Sequence, residues 1–299
     1  MSISYSKDMA AGLDALKRET IIRPPSFFRF DLLGNLARLV EYRDLFYTLS
    51  VHRVKVRYKQ TALGISWAIL QPLSIMFLFT LIFSLIVKMP SEGAPYAAFA
   101  YTALLPWTYF STSLSNGANG LVSNSQLITK VYFPREILPL TYVVAALFDF
   151  IIASSVMAAL MIHYKVSLTV NALFAIPIVF VLTLFVSGVS LLLSAMQVRF
   201  RDIGVAMPLL LQVWMFATPV AYPLSAVPDR FRTLYLLNPM VGIIENFRRV
   251  ILHGSAPDFS SLGVCGLISV VLLAVSYIYF KRVEATMADI IYRPMIRNS

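Results

Sequence analysis

Apolar residues fall in six blocks along the chain, separated by short polar connections. The blocks cover about residues 62–87, 96–118, 137–162, 170–196, 203–222 and 262–280. Each is near the roughly 20 residues that a helix needs to cross a hydrocarbon core. None shows the ten-residue alternation of membrane strands. The pattern predicts an all-α integral membrane protein with six transmembrane helices. A single domain over 62–280 would be flanked by a segment at 1–61 and a tail at 281–299. The second block is apolar to about Phe110 and then carries Ser111, Thr112, Ser113, Asn116 and Asn119, as suits a water-lined or tightly packed helix.

Two further segments have a helical pattern without the length or apolarity to span. Over 31–49, Leu32, Leu36, Leu39, Val40 and Phe46 gather near one helical face, with Arg38, Glu41 and Asp44 elsewhere and Asp31 placed to cap. This predicts an amphipathic helix lying along a membrane interface. In the connection after the fifth block, Asn238 is placed as an N-cap, Pro239 at the first helical position and Gly254 past the end. Met240, Ile243, Ile244, Phe247, Val250 and Ile251 form one apolar stripe. Glu245, Arg248 and Arg249 lie off it. The spacing predicts a short helix, re-entrant or on the surface.

Composition agrees with the membrane reading: 58% of residues are hydrophobic and 13% charged, against about 25% charged in soluble domains. The charges are unbalanced, with 25 Lys plus Arg against 15 Asp plus Glu. If the N-terminus is cytoplasmic, that side holds 19 of the cations and the other side 6, which fixes both termini inside. The basic excess then faces membrane lipid, and nothing points to nucleic acid. The first 61 residues hold no signal-peptide core, which predicts a retained, basic N-terminal segment.

Candidate chemistry is sparse. The three histidines lie apart from one another and from any carboxylate pair, and the one cysteine, Cys265, sits in an apolar run, so no metal site is expected. No Gly is followed by Lys, so the chain lacks a phosphate-cradling loop. Asp149 is the one acid near the middle of a span. It costs about 2.5–3.5 kcal/mol on insertion scales, so a helix–helix hydrogen bond, a cavity wall or a proton site are all open to it. Aromatic residues are plentiful: Tyr96, Phe99, Trp107 and Phe110 lie close together on a helical wheel, and Trp67, Trp214, Phe216 and Tyr222 add to them. Such rings stack on sugars, but aromatic belts also mark any membrane interface, and the residues alone leave both readings open.

Four stretches resemble one family. VKVRYKQTALGISWAILQPL (Val54–Leu73), NSQLITKVYFPREILPL (Asn124–Leu140), RFRDIGVAMPLLLQVWMFATPVAYP (Arg199–Pro223) and LNPMVGIIENFRRVILHG (Leu237–Gly254) are similar, in order and spacing, to segments of ABC-2-type exporter permeases. The most similar members export O-antigen, capsular polysaccharide or teichoic acid. The resemblance implies a homodimer in a bacterial cytoplasmic membrane, with one ABC ATPase subunit on each half. ATP and Mg would be held by the ATPase and no cofactor by this chain, which is therefore no enzyme. It implies a lipid-linked glycan as cargo. It places an ATPase-coupling helix at Asn124–Glu136, ended by Pro134, with Leu127, Lys130, Phe133, Pro134, Arg135 and Glu136 as its characteristic residues. It places the eight aromatic residues named above along the glycan path, and Arg57, Lys59, Arg199 and Arg201 at the cytoplasmic mouth near the carrier's pyrophosphate. An ABC-2 permease for another lipid or a drug would share these spans. A membrane-embedded glycosyltransferase would need catalytic acids, and the last connection offers only Asp229, Glu245 and Asp258.

Overall fold

The structure is a computed structural model that describes residues 38–59 and 61–297. All elements below lie within 41–297, and no strand occurs among the described residues. Ten α-helices are assigned: α1 Arg43–Lys59, α2 Trp67–Phe79, α3 Tyr96–Ala118, α4 Ser125–Lys130, α5 Ile137–His163, α6 Ala175–Arg199, α7 Asp202–Phe216, α8 Asp229–Leu236, α9 Pro239–Ile251 and α10 Phe259–Arg297. Helix α2 continues through π-helical turns at Thr80–Ile86, where Val87 N–H reaches back five residues to Ile82 at 2.9 Å. An apolar run in lipid must satisfy its backbone internally, which is why helices alone are built here.

Four stretches are long and apolar enough to cross a membrane: Gly64–Ile86, Ile137–His163, Val170–Arg199 and Phe259–Glu284. They match the first, third, fourth and sixth expected blocks. The second block forms α3, which has 23 residues, of which 18 are buried. It is long enough, at about 35 Å, but its Thr, Ser and Asn content keeps its hydropathy low. That content is tolerated because α2, α5, α6 and α9 surround it, so it meets protein on most sides. The fifth block differs more. Helix α7 stops at Phe216 after 15 residues, or about 22 Å, and residues 217–222 form a turn instead of a sixth stretch of that length. Of the expected interfacial helix at 31–49, residues 31–37 lie outside the described residues, and α1 runs ten residues further than expected.

The connection at 119–136 and the end of α6 lie on one face, here the near face. Residues 88–95 and 217–258 lie on the opposite, far face. Cross-links at each face fix this: Gln197 Nε2 donates to Asn119 Oδ1 at 3.1 Å on the near face, and Asn171 Nδ2 to the Gly254 carbonyl at 2.7 Å on the far face. The core is one continuous cluster between α3, α5, α6 and α9. Helix α10 packs along α6 over a longer stretch than any other pair. Their contact depends on Gly188, because a Cβ there would sit 3.0 Å from the Leu273 backbone.

Helix α9 follows the sequence pattern. The Asn238 side chain accepts from Met240 N–H at 3.1 Å, Pro239 opens the helix, and Gly254 turns the chain at φ +59°. Met240, Ile243, Ile244, Phe247 and Val250 are buried. The apolar stripe of α9 packs against α3, α6 and α10, while Arg249 is left exposed.

Candidate functional site

The near-face connection is built in two halves. Helix α4 ends at Lys130, not at Pro134 as the sequence suggested, because Val131 is extended (φ −130°, ψ 137°). Gln126, Thr129, Lys130, Val131 and Tyr132 are exposed, Tyr132 at 85%. Phe133, Pro134 and Glu136 are buried, and Leu127 and Arg135 half-buried. The six residues expected to form one docking surface are thus divided. Lys130 is presented outward, while Phe133, Pro134 and Glu136 anchor the segment. Val131 and Tyr132, which the resemblance did not single out, supply most of the exposed apolar surface. Their signal in the sequence is weak: two apolar residues between Lys130 and Phe133.

The anchor is ionic. Glu136 is fully buried at the start of α5. Lys281 Nζ on α10 lies 2.7 Å from its Oε1 and 2.9 Å from Glu284 Oε2. Tyr277 donates to Glu136 Oε1 at 3.3 Å. Arg135 donates its backbone N–H to Glu284 Oε1 at 3.1 Å and its guanidinium to the Glu284 carbonyl at 2.6 Å. Burial pushes the Glu136 carboxyl above the ordinary carboxylate range, Glu284 adds to the push, and Lys281 opposes it. The connection is therefore clamped to the last helix.

A cleft of about 510 Å³ opens between α1, α2, α3 and α5. Asp149 of α5 lies on its wall, and Arg57 of α1 is paired with it. Tyr58 donates to the other carboxylate oxygen at 2.5 Å. Asp149 is thus both a helix–helix bond and a cavity wall. One turn earlier on α1, Arg53 donates to Asn124 Oδ1 at 2.6 Å and stacks on the Tyr142 ring at 4.5 Å, which ties α1 to the connection. Of the four expected mouth cations, Lys59, Arg199 and Arg201 are exposed, whereas Arg57 is neutralised by its partner. The polar half of α3 lines the same cleft with Ser111, Thr112 and Asn116.

The aromatic residues separate in the same way. Tyr96, Phe99, Trp107 and Phe110 are buried inside the subunit. Phe110 stacks on Phe185 at 5.8 Å and meets Trp214 edge-on at 4.9 Å, and Tyr96 donates to the Ala221 carbonyl at 2.6 Å. They form core between α3, α6, α7 and the 217–222 turn. Tyr222 is half-buried and donates to the Phe216 carbonyl at 2.5 Å. Phe216 is exposed, and Trp67 is exposed at 49% on the cleft.

At the far face, Asn238 joins α7 to α9. Besides capping α9, it accepts from Trp214 Nε1 at 3.2 Å and donates to Thr218 Oγ1 at 2.9 Å. Arg248 corrects the helical-wheel reading. Placed off the apolar stripe, it is 1% exposed, with its guanidinium 3.8 Å over the Phe99 ring. It donates to Glu245 Oε1 at 2.9 Å and to the Val220 carbonyl at 2.8 Å. Burial lowers the pKa of Arg248 from the ordinary guanidinium range against the pull of Glu245, and burial likewise raises that of Glu245. Among the described residues, no cluster of His, Cys, Asp and Glu could hold a metal ion.

Comparison with known proteins places the chain in a family. The family model described as ABC-2 type transporter matches residues 44–252. The chain is similar to an O-antigen export system permease protein, RfbA, of Myxococcus xanthus. Identity is 34% over 249 residues, covering 82% of this chain and 95% of that protein. Two proteins of the same name from Klebsiella pneumoniae are 25% and 26% identical, each covering 83% of this chain and 95% of its own length.

Proposed function

Because the chain belongs to the ABC-2 type transporter family, a family of multi-pass membrane proteins, we propose that it is the membrane subunit of an ATP-driven exporter of a lipid-linked polysaccharide. The cargo is an O-antigen-like glycan. The observation that carries this reading is the similarity to O-antigen export permeases over 95% of their length. The exporter is a homodimer of six-span subunits in a bacterial cytoplasmic membrane, with both termini inside and two ABC ATPase subunits holding ATP and Mg. In this reading α3 and α7 complete the six spans, α7 together with the 217–222 turn.

The geometry supports a coupling scheme. The ATPase docks on Lys130, Val131 and Tyr132, the exposed part of the connection. Closure of two ATPase subunits pushes on that segment as a rigid body. The clamp through Glu136, Lys281 and Glu284 passes the push to α10, and Arg53 passes it to α1. A glycan longer than the bilayer is thick needs an open channel between subunits, which moving helices can gate. The test is co-expression with an ABC ATPase. The pair is expected to co-purify, hydrolyse ATP and move lipid-linked glycan in vesicles only when ATP is present. Export by this chain alone, or ATP-dependent export of another lipid or a drug with no glycan moved, overturns the reading.

A further inference from the structure

A cluster of charged side chains on the far face plays no part in the coupling scheme. It lines a pocket of about 430 Å³ where residues 88–95, the turn at Leu224–Ala226 and the segment after α9 meet. Glu92 and His253 face each other there, their side chains 35% and 33% exposed. His253 Nε2 lies 3.9 Å from Glu92 Oε2, too far for a hydrogen bond but one small closure away from it. Ser225 Oγ donates to the other Glu92 oxygen at 3.0 Å. Next to His253, the Gly254 carbonyl accepts from Asn171 Nδ2 at 2.7 Å and from Thr169 Oγ1 at 3.0 Å. The histidine thus stands on a fixed support.

The other charges around the histidine are engaged. On α9, Arg248 donates to Glu245 at 2.9 Å, although Glu245 also feels Glu92 and His253. Asp258, which leads into α10, accepts from Ser260 Oγ at 2.7 Å and from the Ser260 and Ser261 N–H groups at 3.1 and 3.3 Å. Arg249 favours the charged form of Asp258 as well. The remaining walls add Leu224 and Leu236, neither of them charged. Among the described residues, no Lys or Arg forms an ion pair with Glu92; His253 is the basic group beside it. Histidine is the side chain that gains charge in the mildly acidic range. As an imidazolium it donates from both nitrogens, and a neighbouring carboxylate then attracts it.

What this pair can hold has few other supports. Of the four long apolar stretches, Gly64–Ile86 is the least buried, 11% against 28–44% for the others. Residues 88–95 join its far end to the rest of the subunit. Within them Lys88 (φ +55°) and Glu92 (φ +54°) occupy the left-handed region, which non-glycine residues keep only where contacts compensate. One further ion pair is therefore a sizeable addition.

We propose that Glu92 and His253 form an acid-closed latch, which fastens the far end of the first span to α9 when the far side is acidic and releases it near neutrality. The consequence, slower export into an acidic compartment, rests on the export reading. The latch itself rests on the far-face geometry alone.

The test uses the permease with its ATPase in proteoliposomes, near face outward, so that ATP acts from outside while the lumen sets the far-side pH. The medium stays neutral and the lumen is buffered at about pH 5 or about pH 8, which bracket the charge change of histidine. Wild-type export is expected to be roughly threefold slower into the acidic lumen, the scale of one partly exposed ion pair. His253→Gln is expected to export at the fast rate into both lumens, and His253→Arg, a permanent cation, at the slow rate into both. Glu92→Gln repeats the first result should His253→Gln fail to fold. A second readout needs no cargo. Because Cys265 is buried, spin labels at Pro90→Cys and Ser255→Cys report the distance across the latch. Its spread is expected to narrow in acid, and in His253→Arg at either pH. Equal acid sensitivity in wild type and His253→Gln overturns the latch, as does a loss of sensitivity in Glu245→Gln instead, or a label distance that ignores pH. A complex that moves no glycan at either pH refutes the export reading, and the label distances then judge the latch alone.

Discussion

At the scale of single residues, buried charge decides most of what is distinctive. Removing one partner of a buried ion pair costs about 3–5 kcal/mol, because the other is left uncompensated. Lys281→Met strips Glu136 of the cation that opposes its burial, so the Glu136 carboxyl rises further above its unfolded value. The sign follows. Below the ordinary carboxylate range both states are protonated and the variant loses little. As pH rises from there through the raised folded pKa, the unfolded chain ionises first and stability falls. Thermal unfolding in detergent should show Lys281→Met losing stability progressively with rising pH, and Glu136→Gln in the same chain should flatten that dependence.

Among the elements, the near-face connection carries the sharpest contrast. Tyr132→Ser with Lys130→Glu changes exposed side chains only. It should leave expression normal and lower glycan-coupled ATP turnover by about tenfold, as loss of an interface anchor does. Phe133→Asp puts a charge into a site that is 4% exposed and should reduce folded yield before any coupling can be measured. Gel filtration of the purified chain separates the two outcomes. The elements also show what a sequence can tell. Helix α9 was legible residue by residue, because an N-cap, a first-turn proline and a 3.6-residue stripe are local signals. Arg248 was not, since periodicity gives an angle and not a neighbour, and the Phe99 ring that covers it is supplied by α3. The shortness of α7 was equally hidden: its end depends on Asn238, which lies beyond the 217–222 turn and α8. In the candidate site, the polar half of α3 was legible as a lined surface. The partners of Asp149 were not, because α1 must first lie along α5.

For the whole molecule, the cation imbalance and the two opposed faces make one statement about orientation. The near face carries the connection and the cationic ends of α1 and α6, so it should be cytoplasmic. The single native cysteine is buried, which permits a direct check. A membrane-impermeant maleimide applied to intact spheroplasts should label Ser255→Cys and spare Thr129→Cys until the membrane is opened. The opposite pattern would reverse the topology.

The clamp between the connection and α10 also has a consequence for how the protein is made. Glu136 leaves the ribosome 145 residues ahead of Lys281. Throughout that interval the third apolar run must be held in the bilayer with a carboxylate at its edge and no counter-ion. Completion of synthesis is therefore a chemical event as well as an end point: the arrival of the last helix is what supplies the counter-ion for the start of α5. Nascent chains stalled before Tyr277 should be recognised as unfinished and degraded by membrane proteases. In pulse-chase labelling, Glu136→Gln should lengthen the lifetime of those fragments while leaving that of fragments stalled after Glu284 unchanged.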